Sequence, residues 1–440
     1  MLMTFRELNI HIHRYIGLAT VIFLIITAIT GMVLPFYDPL DEWFNQRLAY
    51  VEPSNSAVLP IAVLHDKVVA SFPDKKFSSM PVQIKPNRSV KFVVDRQPPK
   101  PNQPQAKPTF NQVFVNPYTG QIIGTRNQNM WAWQNTMYKV FWFHRNLLLG
   151  NFGKTVMGMV GLLWTINCFI GFYLTFPRRP AKKKQKPTTT SQPNRLKNWF
   201  QRWSRAWKIR KFSSVFKLNF DMHHAFGLWF WVLSLMVAWS SVGFNLKPVY
   251  QPVMQAVVGL KQPAPKPIIE KYQEVQSDEV QSNSINALAI DKYHAIDFLI
   301  QIAQTQSQQT GKSFERPLSL RWVSDEQAWQ LRFTTNEDFG TGRGASSVTV
   351  NAVTGNVEKV TFGSEANFGN RVEQVIYAIH LAQIDSIAYR LFLSVFGVIV
   401  AILSVTGVYL WWHGHKNRRH AKHRHAKQKF AKKIRKESMS

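Results

Sequence analysis

The chain has 440 residues, with 54 lysines and arginines against 25 aspartates and glutamates, for a formal net charge of +29. Its apolar residues, 45% of the total, gather in four long runs, which excludes both an ordinary soluble globular protein and a disordered one. The sole cysteine, Cys168, excludes an intramolecular disulfide and lies inside one of these runs, where it reads as a small apolar filler.

Residues 1–36 carry the first apolar run, 15–36, close to the roughly 20 residues a helix needs to cross a bilayer. Arg6 and Arg14 stand in front of it, but the stretch is too long for a signal peptide and no small-residue cleavage site follows. It reads as a retained span. Segment 37–130 has the grammar of a small α+β domain. Helical spacing over 59–72 gives way to alternation over 77–84 and 90–95, a Pro-rich surface loop at 97–108, and a further strand at 110–115. The turn Asn116-Pro-Tyr-Thr-Gly120 reverses the chain, its glycine suiting a positive φ.

Residues 131–177 supply an entry helix and a second span (155–176), and 178–218 form a basic loop without one acidic residue as far as Lys217. The third span occupies 219–245, its apolar run covering 225–244. A second α+β domain follows over 246–371, with a helix at 284–304, strands at 318–323, 329–334 and 347–353, and the turn Asn351-Ala-Val-Thr-Gly355. An entry helix and fourth span (391–412) fill 372–413, and 414–440 is a basic tail with His420, His423 and His425 interleaved.

Both basic blocks abut spans, so the positive-inside rule accounts for them without nucleic acid. They also suit anionic lipid headgroups. The rule puts the basic loop and both termini on the cytoplasmic side, and the two α+β segments on the opposite, periplasmic side of a bacterial inner membrane.

The chain repeats itself. His144 is followed by Lys154, Gly161, Gly171, Tyr173 and Leu174, and His380 at identical offsets by Arg390, Gly397, Gly407, Tyr409 and Leu410. A second pair, His13-Arg-Tyr-Ile-Gly17-Leu18 and His223-His-Ala-Phe-Gly227-Leu228, opens the other two spans. A histidine in a span is costly and usually functional. A lone one would read as an interfacial residue, and single tryptophans near span ends as an ordinary aromatic belt. Four histidines in register with glycines and cations are a different matter.

With spans one and three running outward, His13 and His223 fall at the cytoplasmic ends, and His144 and His380 at the periplasmic side. Each pair draws one residue from each half. Two facing imidazoles clamp a b-type haem, and filled axial positions favour electron transfer over oxygen binding. Two haems b per chain, one near each surface, would make an electron wire. Gly17, Gly158, Gly161, Gly227, Gly243 and Gly397 permit close approach of helices or of a macrocycle. Arg14, Arg145, Lys154 and Arg390 are placed to meet propionates. No carboxylate or thiol accompanies the histidines to complete a bare metal's shell. His11, His224 and His413 are the substitutes near the cytoplasmic pair, with His415 beside them, while His65 and His294 read as surface residues of the soluble helices. Gly340-Thr-Gly-Arg-Gly344 lies between strands with no helix after it, so it is no dinucleotide fingerprint.

His13-Arg-x-x-Gly17-Leu, Asp221-x-His223-x-x-x-Gly227-Leu-Trp and the two Asn-x-x-Thr-Gly turns resemble the PepSY-associated transmembrane helix family, over nearly the whole chain. The resemblance implies a membrane α-helical protein: an internally duplicated four-helix bundle carrying two periplasmic PepSY-like α+β domains. It also implies an iron-regulated inner-membrane oxidoreductase that passes electrons through two haems to a ferric siderophore and releases Fe(II). The family often ends its spans with Thr-Gly, kept at Thr30-Gly31 and Thr406-Gly407 but replaced by Ile170-Gly171 and Val242-Gly243. The lost hydroxyl is expected to cost a polar contact at a haem edge. With no flavin or nicotinamide site legible, the donor is a quinol or a separate cytoplasmic reductase. A free metal ion or a redox protein as acceptor, or a non-enzymatic scaffold binding peptides or a protease, are the competing readings.

Overall fold

The computed structural model describes residues 3–96, 109–178, 195–211, 213–261, 290–342 and 345–437, with the backbone alone at 195–197, 418 and 420–437. The Pro-rich stretch 97–108, the middle of the basic loop and the tail histidine side chains lie outside the described residues.

In chain order the helices are α1 (Phe5–Val33), α2 (Tyr37–Phe44), α3 (Gln46–Ala49) and α4 (Ile61–Ser71). Strands β1 (Ser79–Pro81), β2 (Val90–Val93), β3 (Gln112–Val115) and β4 (Ile122–Arg126) follow. Next come α5 (Thr136–Asn146), α6 (Gly150–Thr175), α7 (Arg195–Trp203), α8 (Val215–Trp229), α9 (Trp231–Asn245), α10 (Lys247–Val258) and α11 (Lys292–Gln309). Strands β5 (Phe314–Val323), β6 (Ala328–Thr335), β7 (Ser346–Asn351) and β8 (Val357–Thr361) precede α12 (Phe368–His380) and α13 (Ile387–Glu437). The chain divides into a helical unit (1–35, 141–250, 390–440) and an α+β unit (36–140, 251–389).

In the helical unit, α1, α6 and α13 contain stretches long and apolar enough to cross a membrane. α1 starts on a capping box in which Thr4 and Glu7 satisfy each other's backbone N–H groups. Glycines set the close contacts. A Cβ at Gly161 would meet Ser241 and the Ala238 carbonyl of α9 at 3.0 and 3.2 Å, and one at Gly397 would stand 3.0 Å from the Ala28 carbonyl of α1. These two glycines, with Gly158 against Leu246, serve helix packing.

The third span is not the single straight helix expected from 219–245. α8 and α9 bend by 70° at Phe230, and the pair makes a fourth span only if counted as one broken element. No proline sits at the break; consecutive aromatics do, each with its own neighbour. Phe230 packs on Phe396 and Phe392 of α13, while Trp231 donates its indole N–H to the Cys168 carbonyl of α6.

In the α+β unit the two segments expected to form separate domains, 37–130 and 246–371, share one core. β1 of the first segment pairs antiparallel with β5 of the second, Met80 opposite Leu320, giving a five-stranded sheet in the order β1-β5-β6-β7-β8. β2-β3-β4 form a second sheet. Leu64 and Val68 of α4, Phe92, Val113, Leu299 of α11, Leu331 and Val348 are all fully buried in one cluster. The physical reason is shortage of apolar surface: β1 has three residues, too few to hold a domain edge alone. Asp66 of α4 reinforces the joint, pairing with Lys292 and accepting from the Tyr293 hydroxyl of α11.

The paired turns match atom for atom. Asn116 Oδ1 accepts from the backbone of Tyr118 and Thr119, and Asn351 Oδ1 from that of Val353 and Thr354. Gly120 and Gly355 both take φ +72°. Of the helix read over 284–304, residues 284–289 lie outside the described residues; α11 starts at Lys292, where Asp291 caps it through the Tyr293 and His294 backbone N–H groups. His294 is exposed as expected, but His65 is not a plain surface residue: it packs on Phe92, and Nε2 donates to the Phe77 carbonyl at 2.8 Å while Nδ1 is buried without a partner.

Arg126 is the largest fully buried side chain, 1% exposed. It donates twice to Asp41 of α2, at 3.0 and 2.8 Å, and once to Gln112 Oε1 at 2.8 Å. Removing the guanidinium strands a buried carboxylate, so Arg126→Gln is expected to lose about 3–5 kcal/mol, read as a drop in thermal midpoint, with Arg126→Met/Asp41→Leu recovering most of it.

Burial depresses the His65 imidazole below its ordinary range. The unfolded chain therefore takes up a proton there that the folded chain resists, so His65 contributes stability above about pH 6.5 that fades as pH falls. The stability gap between wild type and His65→Gln should narrow on acidification in detergent; a gap constant with pH would contradict this.

Candidate functional site

Three of the four repeated histidines belong to the helical unit, and each lies against a glycine of another helix. A Cβ built on Gly171 of α6 would stand 3.0 Å from His13 Cε1. One on Gly31 of α1 would meet His144 Cε1 at 3.3 Å, and one on Gly407 of α13 would meet His223 Cε1 at 3.3 Å. Only glycine gives an imidazole this approach to a helix backbone.

The residue before each glycine decides what the ring's Nδ1 meets. Thr30 Oγ1 lies 2.9 Å from His144 Nδ1, and Thr406 Oγ1 3.1 Å from His223 Nδ1. Each hydroxyl already donates its own proton back along its helix, Thr30 to the Ile26 carbonyl and Thr406 to the Ile402 carbonyl, both at 2.7 Å. In the tautomer that carries its proton on Nδ1, the hydroxyl oxygen accepts that proton. Nε2 is left as the lone-pair nitrogen, the form that binds a metal. At the third site Ile170 stands where threonine would, so no hydroxyl faces His13, and the polar neighbour of its buried ring is Asn167. The hydroxyl missing at Ile170 was expected to cost a contact at a haem edge. Where the hydroxyl is kept, at Thr30 and Thr406, it lies against an imidazole nitrogen.

His13 and His223 come together, one from each half of the repeat, with ring centroids 6.2 Å apart and planes at 79°. With metal–nitrogen bonds of about 2 Å, two imidazoles at this spacing would hold one haem iron between them. Gly17 and Gly227, four residues on from each histidine and so on the same helix face, have open surroundings. An added Cβ would meet nothing nearer than 3.8 Å and 4.0 Å respectively. Among the described residues no group of three or more His, Cys, Asp or Glu side chains stands together. Two imidazoles are too few to hold a bare ion, but they complete an iron whose other four ligands come from a macrocycle.

His224, the proposed substitute, points elsewhere: its Nδ1 faces the Phe220 carbonyl at 3.0 Å and its ring lies on Phe220. His11 stacks on Tyr15, and His413 lies between Phe216 and Tyr409. His144 forms a second level. Seventeen residues of continuous helix separate His13 from Thr30, or about 25 Å, against a hydrocarbon thickness of about 30 Å. His380 closes α12 and belongs to the α+β unit.

Of the proposed cations, Arg145 lies over the Trp142 ring, Lys154 is in reach of Asn151, and Arg14 and Arg390 are half-buried and engaged by neighbours. Arg6 was not foreseen; it donates to the Leu174 carbonyl at 2.7 Å near the His13 level. Asp221, two residues before His223, holds Arg210 through both carboxylate oxygens at 2.7 Å and so ties the basic loop to α8. Its signal in the sequence was a solitary acid at the head of an apolar helix.

Among curated proteins the comparison finds no match to this chain. The family model for the PepSY-associated TM region matches residues 10–414. With that match across the repeated helices and the α+β unit alike, the chain belongs to the PepSY-associated transmembrane family and is a membrane protein.

Proposed function

We propose that the protein is a transmembrane oxidoreductase of a bacterial inner membrane that holds two haems b and reduces ferric-siderophore complexes on the periplasmic side. The observation that carries this reading is the His13–His223 pair, two imidazoles from matching positions spaced for one iron. When bound, haem iron accepts and gives up single electrons, which is the chemistry a path across a bilayer needs. The chain's own part is to present neutral imidazoles, exclude water and fix the depth of each level. The second pair, His144 with His380, rests on the sequence repeat and on the Thr30 hydroxyl that orients His144. Arg14, Arg145, Lys154 and Arg390 supply positive charge for propionates near these levels.

Each electron delivered to a periplasmic chelate converts one Fe(III) to Fe(II), which the hard oxygen donors of a siderophore hold weakly. The donor is a quinol or a cytoplasmic reductase. The acid-free basic loop favours cytoplasmic termini, a docking surface for that partner and contact with anionic lipid.

Dithionite-reduced protein should be reoxidised rapidly by ferric siderophores under anaerobic stopped flow, with slower reaction toward free ferric or cupric ions. Reoxidation by the ions alone would move the acceptor to that class, and colourless protein from haem-replete cells would leave the scaffold reading. Filling a cradle should be as damaging as removing a ligand: Gly407→Leu is expected to lower haem content as His223→Ala does. Gly414→Ala, where an added Cβ meets nothing within 4 Å, should leave it unchanged.

A further inference from the structure

We infer that Thr30 and Thr406 are positioning residues that set the electron-donating strength of His144 and His223, and that Ile170 leaves His13 the weaker donor of its pair. The inference rests on the haem reading above. Its geometry is independent of it: two hydroxyls at 2.9 and 3.1 Å from Nδ1, and a third ring, His13, with isoleucine in place of the hydroxyl residue and Asn167 as its polar neighbour.

The chemistry follows from where each proton goes. Thr406 Oγ1 spends its proton on the Ile402 carbonyl and accepts the one on His223 Nδ1. An imidazole whose N–H is held by an acceptor is fixed in tautomer and orientation and becomes more basic at the other nitrogen. A more basic axial ligand stabilises Fe(III) over Fe(II) and lowers the reduction potential. Thr30 does the same for His144, with its hydroxyl turned to Ile26. Thr406 is 2% exposed, so its hydroxyl is sheltered from bulk solvent. At the His13–His223 level the two rings are therefore unequal: one is anchored by a hydroxyl, the other lies on Gly171, where the preceding residue is an isoleucine that offers none. Residue 170 is thus a tuning position. An isoleucine there raises the potential of the level that would first receive electrons, relative to a chain with threonine.

Three variants of the full-length, haem-loaded protein test this by redox titration and low-temperature electron paramagnetic resonance. Thr406→Val should raise the midpoint potential of one haem, alter its low-spin g values and weaken haem retention about 10-fold. Thr406→Ser should restore all three. Ile170→Thr supplies the absent hydroxyl and should lower the potential of the same haem, a gain that a folding defect cannot imitate. Potentials and g values unmoved in Thr406→Val and Ile170→Thr, at wild-type haem content, would overturn the inference. So would a shift in Thr406→Val that Thr406→Ser fails to reverse, which would mark an effect of volume. Wild-type protein lacking a low-spin b spectrum would instead overturn the haem reading beneath it.

Discussion

A neutral imidazole buried among apolar helices must find a partner for each nitrogen or bear the cost of a stranded polar group. Much of the helical unit is arranged around that constraint. Glycine at 31, 171 and 407 lets a ring reach a helix backbone, and threonine at 30 and 406 puts a hydroxyl within hydrogen-bond distance of Nδ1. What remains on each ring is a lone pair. The histidines thus define two depths about 25 Å apart along α1.

The duplication works differently in the two units. Among the helices it yields equivalent but separate cradles, His13 on Gly171 and His223 on Gly407, whose rings meet. In the α+β unit the two copies have lost their separateness. β1 and α4 of the first segment complete the core of the second, with Asp66 fastening α4 to α11. The copies keep their identical Asn-x-x-Thr-Gly turns, because a short-range backbone constraint survives a change of partner.

These differences mark what was legible in the sequence. The apolar runs, the histidine register and the turns are local patterns with periods and offsets, and they could be read. The pairing of Met80 with Leu320 could not, since nothing near a three-residue strand states its partner 240 positions away. The bend at Phe230 was hidden for a similar reason: no proline or terminal glycine announces it, and its aromatics are satisfied by distant residues. Asp41 and Arg126 look like surface charges until folding buries them together. The Thr-Gly dipeptides are legible as a hydroxyl beside a gap, but the histidine each one meets is more than 100 positions away and shows only in the fold.

The central claim is that paired histidines hold haem, and the most direct test is a pyridine haemochrome count on detergent-purified protein, wild type beside His13→Ala and His223→Ala. Two haems b per chain in the wild type, falling to one in each variant, is the predicted result. A haem-free wild type, or variants that keep both haems, would contradict it.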